Sequence, residues 1–324
     1  MRSCPGSAPR RRTAGNASSI TSSRTSRTSS TSDPALDRAG EPIPASAPYR
    51  LVHPFPSILD AIVTGFLAAL AGGGVAVVGM LAISMLFLQF SIGAVNDLAD
   101  AAADGMAKPW KPIPTGVVPA RTALVIASAC ATAGLVLAAV VSPATLVIAA
   151  LGLGLGFAYD LRLKGTAIGW LPFAVGIPLL PLFAWIGATG TVPPAIVVLS
   201  LIAAPAGAAL AIANALPDLE RDAASGVRTP ATTLGRSTAW AVDAILQGLV
   251  VAVALVAVVI VGTAPPDILV GAVIFGSIVG IAAGVILSGR PSVAARQRGW
   301  ELQAVALGGL AAGWVGAMAA AGRL

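Results

Sequence analysis

From Leu51 onward, apolar runs alternate with short polar or Gly/Pro-rich breaks. The runs are about 17–25 residues long, which is what an α-helix needs to cross ~30 Å of hydrocarbon. The pattern predicts an all-α protein, a polytopic membrane bundle of nine transmembrane helices over residues 57–73, 75–96, 118–140, 143–159, 166–187, 193–216, 237–262, 265–288 and 300–320. The first two are one long apolar run divided at Gly72-Gly73-Gly74. Pro143, Pro193-Pro194 and Pro265-Pro266 mark further turns, because proline suits the first turn of a helix and resists its interior. Residues 1–48 contain no apolar run and are rich in Ser, Thr, Arg and Pro, so they read as a disordered cytoplasmic tail ahead of a membrane domain at 49–324. The Arg-rich, acid-poor stretch Met1 to Ser32 also fits an organelle transit peptide.

Composition supports the bilayer as solvent. Of 324 residues, 56% are hydrophobic and only 10% charged, against about 25% charged in soluble domains. A water-facing surface cannot be built from that supply. The two cysteines, Cys4 in the tail and Cys130 in an apolar run, suggest neither a disulfide framework nor a metal site. The net charge of +6 reports orientation rather than a nucleic-acid partner. With nine spans, 19 of the 20 Lys and Arg fall on one side and only Arg323 on the other. By the positive-inside rule that side is cytoplasmic, or matrix or stromal in an organelle. The expected setting is a bacterial cytoplasmic membrane, with the N-terminus and the chemistry on the cytoplasmic face, or an organelle inner membrane if the tail is a transit peptide.

The few acids are concentrated. Asn96, Asp100 and Asp104 close the second span, and Asn214, Asp218 and Asp222 close the sixth; both read N-x-x-x-D-x-x-x-D. On a helix such residues advance only about 40° per step, so each set shares one face over about 12 Å. Clustered carboxylates at helix C-termini repel one another and the helix dipole. A hard divalent cation resolves the conflict, and Mg²⁺ favours a few carboxylates, retained waters and substrate phosphates. Capping or Arg pairing could explain one such motif, but two on the same face argue for a site. Lys108 and Lys111 follow the first motif, and Arg221 and Arg228 lie in or beyond the second. Tyr159, Asp160, Arg162 and Lys164 end the fourth span on the same side. These cations are placed to hold a phosphate from the side opposite the metals.

The pattern resembles the UbiA superfamily of intramembrane prenyltransferases. The resemblance runs from about Leu51 to the C-terminus. It rests on N-D-x-x-D-x-x-x-D at Asn96 to Asp104, Lys111-Pro112-Ile113-Pro114-Thr115-Gly116, Tyr159-Asp160-x-x-Leu163-Lys164, and D-x-x-x-D at Asp218 to Asp222. It implies a helical bundle that binds two Mg²⁺ ions and an isoprenoid diphosphate beneath a cytoplasmic cap, with the prenyl chain in an apolar tunnel open to lipid. Asn96, Asp100, Asp104, Asp218 and Asp222 would then ligate metal, and Lys108, Lys111, Arg162, Lys164, Arg221 and Arg228 the diphosphate. Asp97, Tyr159 and Asp160 would be catalytic. Family members often have Arg where Lys111 stands and some have an acid where Asn214 stands, which leaves Asn214 as a metal or an acceptor contact.

The function expected is Mg²⁺-dependent transfer of a prenyl group to a small-molecule acceptor, of an aromatic hydroxybenzoate, naphthoate or homogentisate type. A terpene cyclase of the same superfamily would need no acceptor. An ion-coupled transporter would place its acids near the bilayer midplane rather than at one face. Asp60 and Asp243 could face the acceptor, but read first as solvated or hydrogen-bonded near the interface; His53 reads as interfacial, and Trp110, Trp170, Trp240 and Trp300 as an interfacial belt.

Overall fold

The computed structural model describes residues 48–108, 110–261 and 267–324. The expected tail at 1–47, with Cys4, and also Pro109 and the Pro265-Pro266 turn, lie outside the described residues. Among the described residues every regular element is helical. A 3₁₀ turn at Pro48–Val52 leads into α1 (Pro54–Leu70), α2 (Val75–Ala107), a short α3 (Pro112–Thr115), α4 (Ala120–Val141) and α5 (Pro143–Ala158). A π-helical turn, Tyr159–Leu163, follows α5 and precedes α6 (Leu171–Thr189) and α7 (Pro194–Ala215). After a 3₁₀ turn at Leu216–Asp218 come α8 (Leu219–Ala224), α9 (Pro230–Leu234), α10 (Arg236–Val261), α11 (Ile268–Ser288) and α12 (Val293–Ala320).

Eight described helices are long and apolar enough to cross a membrane, and the ninth expected span is α1, which is apolar but has 17 residues. The glycine break separates α1 from α2 as the run length required. Pairs α1–α2, α2–α4, α6–α7, α7–α10 and α11–α12 pack side by side. Their shared core is built from Leu67, Leu81, Phe183, Ile196, Val250 and Trp314. Outward-facing positions are apolar as well: Ile268 is 89% exposed and Val259 78%. Such a surface suits lipid, since apolar side chains there lose nothing to hydrocarbon. The chain is an integral, multi-pass membrane protein.

Two expectations about helix ends need correction. The second span does not stop at residue 96; α2 runs on to Ala107 and carries the whole first motif inside one helix of 33 residues. No residue from Val75 to Ala107 is a proline, so nothing interrupts its hydrogen-bond ladder. The second motif does not form the single helical face expected of it. Pro217 has no N–H to continue the ladder, and the chain tightens into the 3₁₀ turn Leu216–Asp218 before restarting as α8.

Candidate functional site

The first motif is neutralised almost entirely from elsewhere in the sequence. Lys111 Nζ lies 2.8 Å from Asp97 Oδ1 and 2.6 Å from Asp104 Oδ2, and so bridges two turns of α2. Burial opposes the charge on Lys111, but Asp97 and Asp104 outweigh it and hold the ammonium above the usual lysine range. Lys164 Nζ lies 2.5 Å from Asp100 Oδ2. It is placed by the π turn, whose 2.7 Å bond from the Lys164 N–H to the Tyr159 carbonyl spans five residues. Such turns widen a helix and are frequent at functional sites. Asn96 donates from Nδ2 to Asp160 Oδ1 at 2.7 Å, tying α2 to that turn.

The second motif reaches the same place through Lys108 and Arg221. Lys108, just past α2, lies 3.1 Å from Asp218 Oδ2. Arg221 also pairs with Asp218, and lies 3.9 Å from Asp222 Oδ1. Asp100, Asp160, Asp218 and Asp222 are all within electrostatic reach of the Tyr159 phenol. Both motifs therefore converge on the end of α5. Arg162 and Arg228 are exposed; Arg162 Nη1 donates to the Leu161 carbonyl. These two cations are not brought to the acids.

Beneath the acids lies a cavity of about 270 Å³. Asn96, Tyr159, Asp160 and Asn214 line it, with Leu153, Phe173 and Leu180 among its apolar walls. The Tyr159 ring meets Phe173 edge to face at 5.2 Å. A smaller cavity of about 120 Å³ adjoins it between α1, α6, α7, α10 and α12, and Asp60 lines both.

Several polar residues with an interfacial reading turn out to belong here. His53 Nε2 lies 3.0 Å from Asp97 Oδ1, and the residue lines the larger cavity. Its φ of +47° is the only positive value at a non-glycine position among the described residues. That conformation is uncommon outside glycine. Gly93 permits it, because a Cβ there would stand 2.9 Å from the Val52 carbonyl carbon. Gln89 Nε2 donates to Asp60 Oδ2 at 2.5 Å within the cavity wall. Trp300 also lines the cavity, with Phe55 edge to face at 5.5 Å. Asp243, by contrast, is fully buried away from both cavities and accepts from Gln303 Nε2 at 3.1 Å. Only the order of residues in space distinguishes these cases; no local sequence signal does.

The donor set suits Mg²⁺. Asp97 Oδ2 and Asp160 Oδ2 are buried without a hydrogen-bond partner. Asp100, Asp104 and Asp218 have each drawn in a lysine ammonium, whereas Asp222 has only Arg221 at 3.9 Å. Among the described residues no three His, Cys, Asp or Glu side chains form a closed metal cage. Mg²⁺ ordinarily takes one or two carboxylates and completes its octahedron with waters and phosphate oxygens. Asp100 and Asp104 from α2, with Asp218 and Asp222 from the opposite side, could supply that kind of ligation.

A model of the UbiA prenyltransferase family matches residues 59–307. Digeranylgeranylglyceryl phosphate synthase of Methanopyrus kandleri is 37% identical over 149 residues, covering 45% of this chain and 54% of that protein. The match thus spans about half of that relative's length. 4-Hydroxybenzoate octaprenyltransferase of Vibrio cholerae is 29% identical over 192 residues, 58% of this chain and 68% of that protein. A UbiA homologue from Archaeoglobus fulgidus, solved with DMAPP and Mg²⁺, superimposes with a TM-score of 0.63 at 17% identity, covering 82% of this chain and 99% of that one.

Proposed function

Because the chain belongs to the UbiA prenyltransferase family, we propose that it transfers a prenyl group from an isoprenoid diphosphate to a small-molecule acceptor, with two Mg²⁺ ions and at the cytoplasmic face. The observation that carries this reading is the convergence of two acidic motifs and three lysines at the mouth of one apolar cavity. The relatives are named for prenyl transfer, and a homologous structure holds DMAPP with Mg²⁺.

Asp100, Asp104, Asp218 and Asp222 hold the metal, with Asn96 and Asn214 beside them. Mg²⁺, when bound, neutralises the diphosphate so that it can leave. Lys108, Lys111 and Lys164 exchange their carboxylate partners for diphosphate oxygens as point charges. Leu153, Phe173 and Leu180 shelter the prenyl chain and keep water from the allylic carbon as its bond to oxygen breaks. The edge-to-face pair of Tyr159 and Phe173 puts aromatic surface beside the electron-poor carbon. The acceptor forms the new bond, and its proton passes to Asp97, to Asp160 or to the released diphosphate.

The test is product mass spectrometry on membranes given a panel of prenyl diphosphates and acceptors. A prenylated acceptor that forms with Mg²⁺ and vanishes with a chelator is expected. Cyclised hydrocarbon formed without any acceptor would refute transfer.

A further inference from the structure

Arg296, one turn into α12, has no accessible surface. A buried guanidinium is tolerated only when paired, and its partner lies 76 residues away. Nη1 donates to Glu220 Oε1 at 2.7 Å and Nη2 to Oε2 at 2.5 Å. Glu220 stands midway between Asp218 and Asp222 in sequence. Two residues along a helix is a rotation of about 200°, so the fork grips the side of α8 opposite Asp222, and Asp218 is the residue from which α8 starts.

α8 has little else to fix it. It is six residues long with only Leu219 buried, far below the length at which a helix holds itself in water. Asp222 has no ion pair closer than Arg221 at 3.9 Å. The anchor, in contrast, is stiff. α11 and α12 cross so closely that a Cβ on Gly299 would stand 2.6 Å from Ser288 Oγ, and Gln303 of α12 donates to that same oxygen at 3.0 Å. Two parallel hydrogen bonds from a planar group fix orientation in a way a single charge does not.

We propose that Arg296 is a positioning residue: acting through Glu220, it sets the rotation of α8 and so aims Asp218 and Asp222 at the acids of α2. The α11–α12 hairpin thereby fixes the geometry of half the diphosphate site. This rests on the function proposed above.

The test compares E220A, R296M and the double variant in lipid nanodiscs, with geranyl diphosphate and Mg²⁺ as the probe. Each single variant should weaken Mg²⁺-dependent binding ten-fold or more, with faster amide exchange confined to residues 219–224. In the double variant no buried charge is orphaned, so the thermal midpoint should return to that of the unaltered protein. Binding should stay ten-fold weaker, because the fork is gone. Recovery of affinity together with the midpoint would reduce the pair to a purely structural role and overturn the proposal, as would single variants that bind normally. R296M alone serves the same comparison if the double variant does not fold, because the Glu220 side chain it leaves is 57% exposed and no buried charge is orphaned. If the unaltered protein fails to bind geranyl diphosphate with Mg²⁺, the proposed function falls instead, and exchange in 219–224 still reports on the fork.

Discussion

The two acidic motifs are spelled alike and built differently. Asn96, Asp100 and Asp104 sit on an unbroken helix of 33 residues, so backbone hydrogen bonds alone fix their spacing. Asn214, Asp218 and Asp222 are distributed over the end of α7, a 3₁₀ turn and a six-residue helix. Their relative placement depends on side chains, chiefly Arg296 on Glu220 and Lys108 with Arg221 on Asp218. One half of the site is a continuous rail and the other a plate held by side chains.

The comparison is broken most directly at the acids themselves. D100A and D218A should each lower Mg²⁺-dependent prenyl transfer by about a hundred-fold or more, the scale of losing one preorganised charge contact in the transition state. Rates in membranes at saturating Mg²⁺ provide the check. A loss under ten-fold for D218A alone would mean that the plate is dispensable and that the rail carries the chemistry.

A smaller but sharper contrast lies in stability. Lys111 is 15% exposed and Asp97 only 2%, and the same ammonium also serves Asp104. K111M leaves two buried carboxylates without a cation, and breaking a buried pair from one side costs about 3–5 kcal/mol. The upper end does not apply here, because His53 still contacts Asp97; about 3 kcal/mol is expected. Thermal unfolding in detergent should show a clear fall in midpoint, partly restored in K111M/D104N.

The rail was readable from sequence because a helix needs only its own period, so the positions of Asn96, Asp100 and Asp104 follow from spacing alone. The plate was not, although Pro217 stood within its motif, because the same residues fit a kinked helix or a broken one. His53, Gln89 and Arg296 were harder still. Their partners Asp97, Asp60 and Glu220 lie 44, 29 and 76 residues away, and the local sequence around a polar residue carries no mark of what it will meet.

The smallest effect is expected at Lys108, the cation that joins rail to plate. Its pair with Asp218 resembles that of Lys111 with Asp97 in chemistry, but the side chains are 25% and 35% exposed. Water screens such a pair, and exposed pairs are worth about 0–1 kcal/mol. Asp218 also keeps Arg221 when Lys108 is lost, so no charge is orphaned. K108M should therefore shift the unfolding midpoint far less than K111M, while still raising the concentration of prenyl diphosphate needed for half-maximal rate, because the lysine is free to turn toward phosphate. The ratio of the two effects is what matters: a midpoint fall equal to that of K111M would mean that the plate is held as firmly as the rail, and the distinction between them would fail.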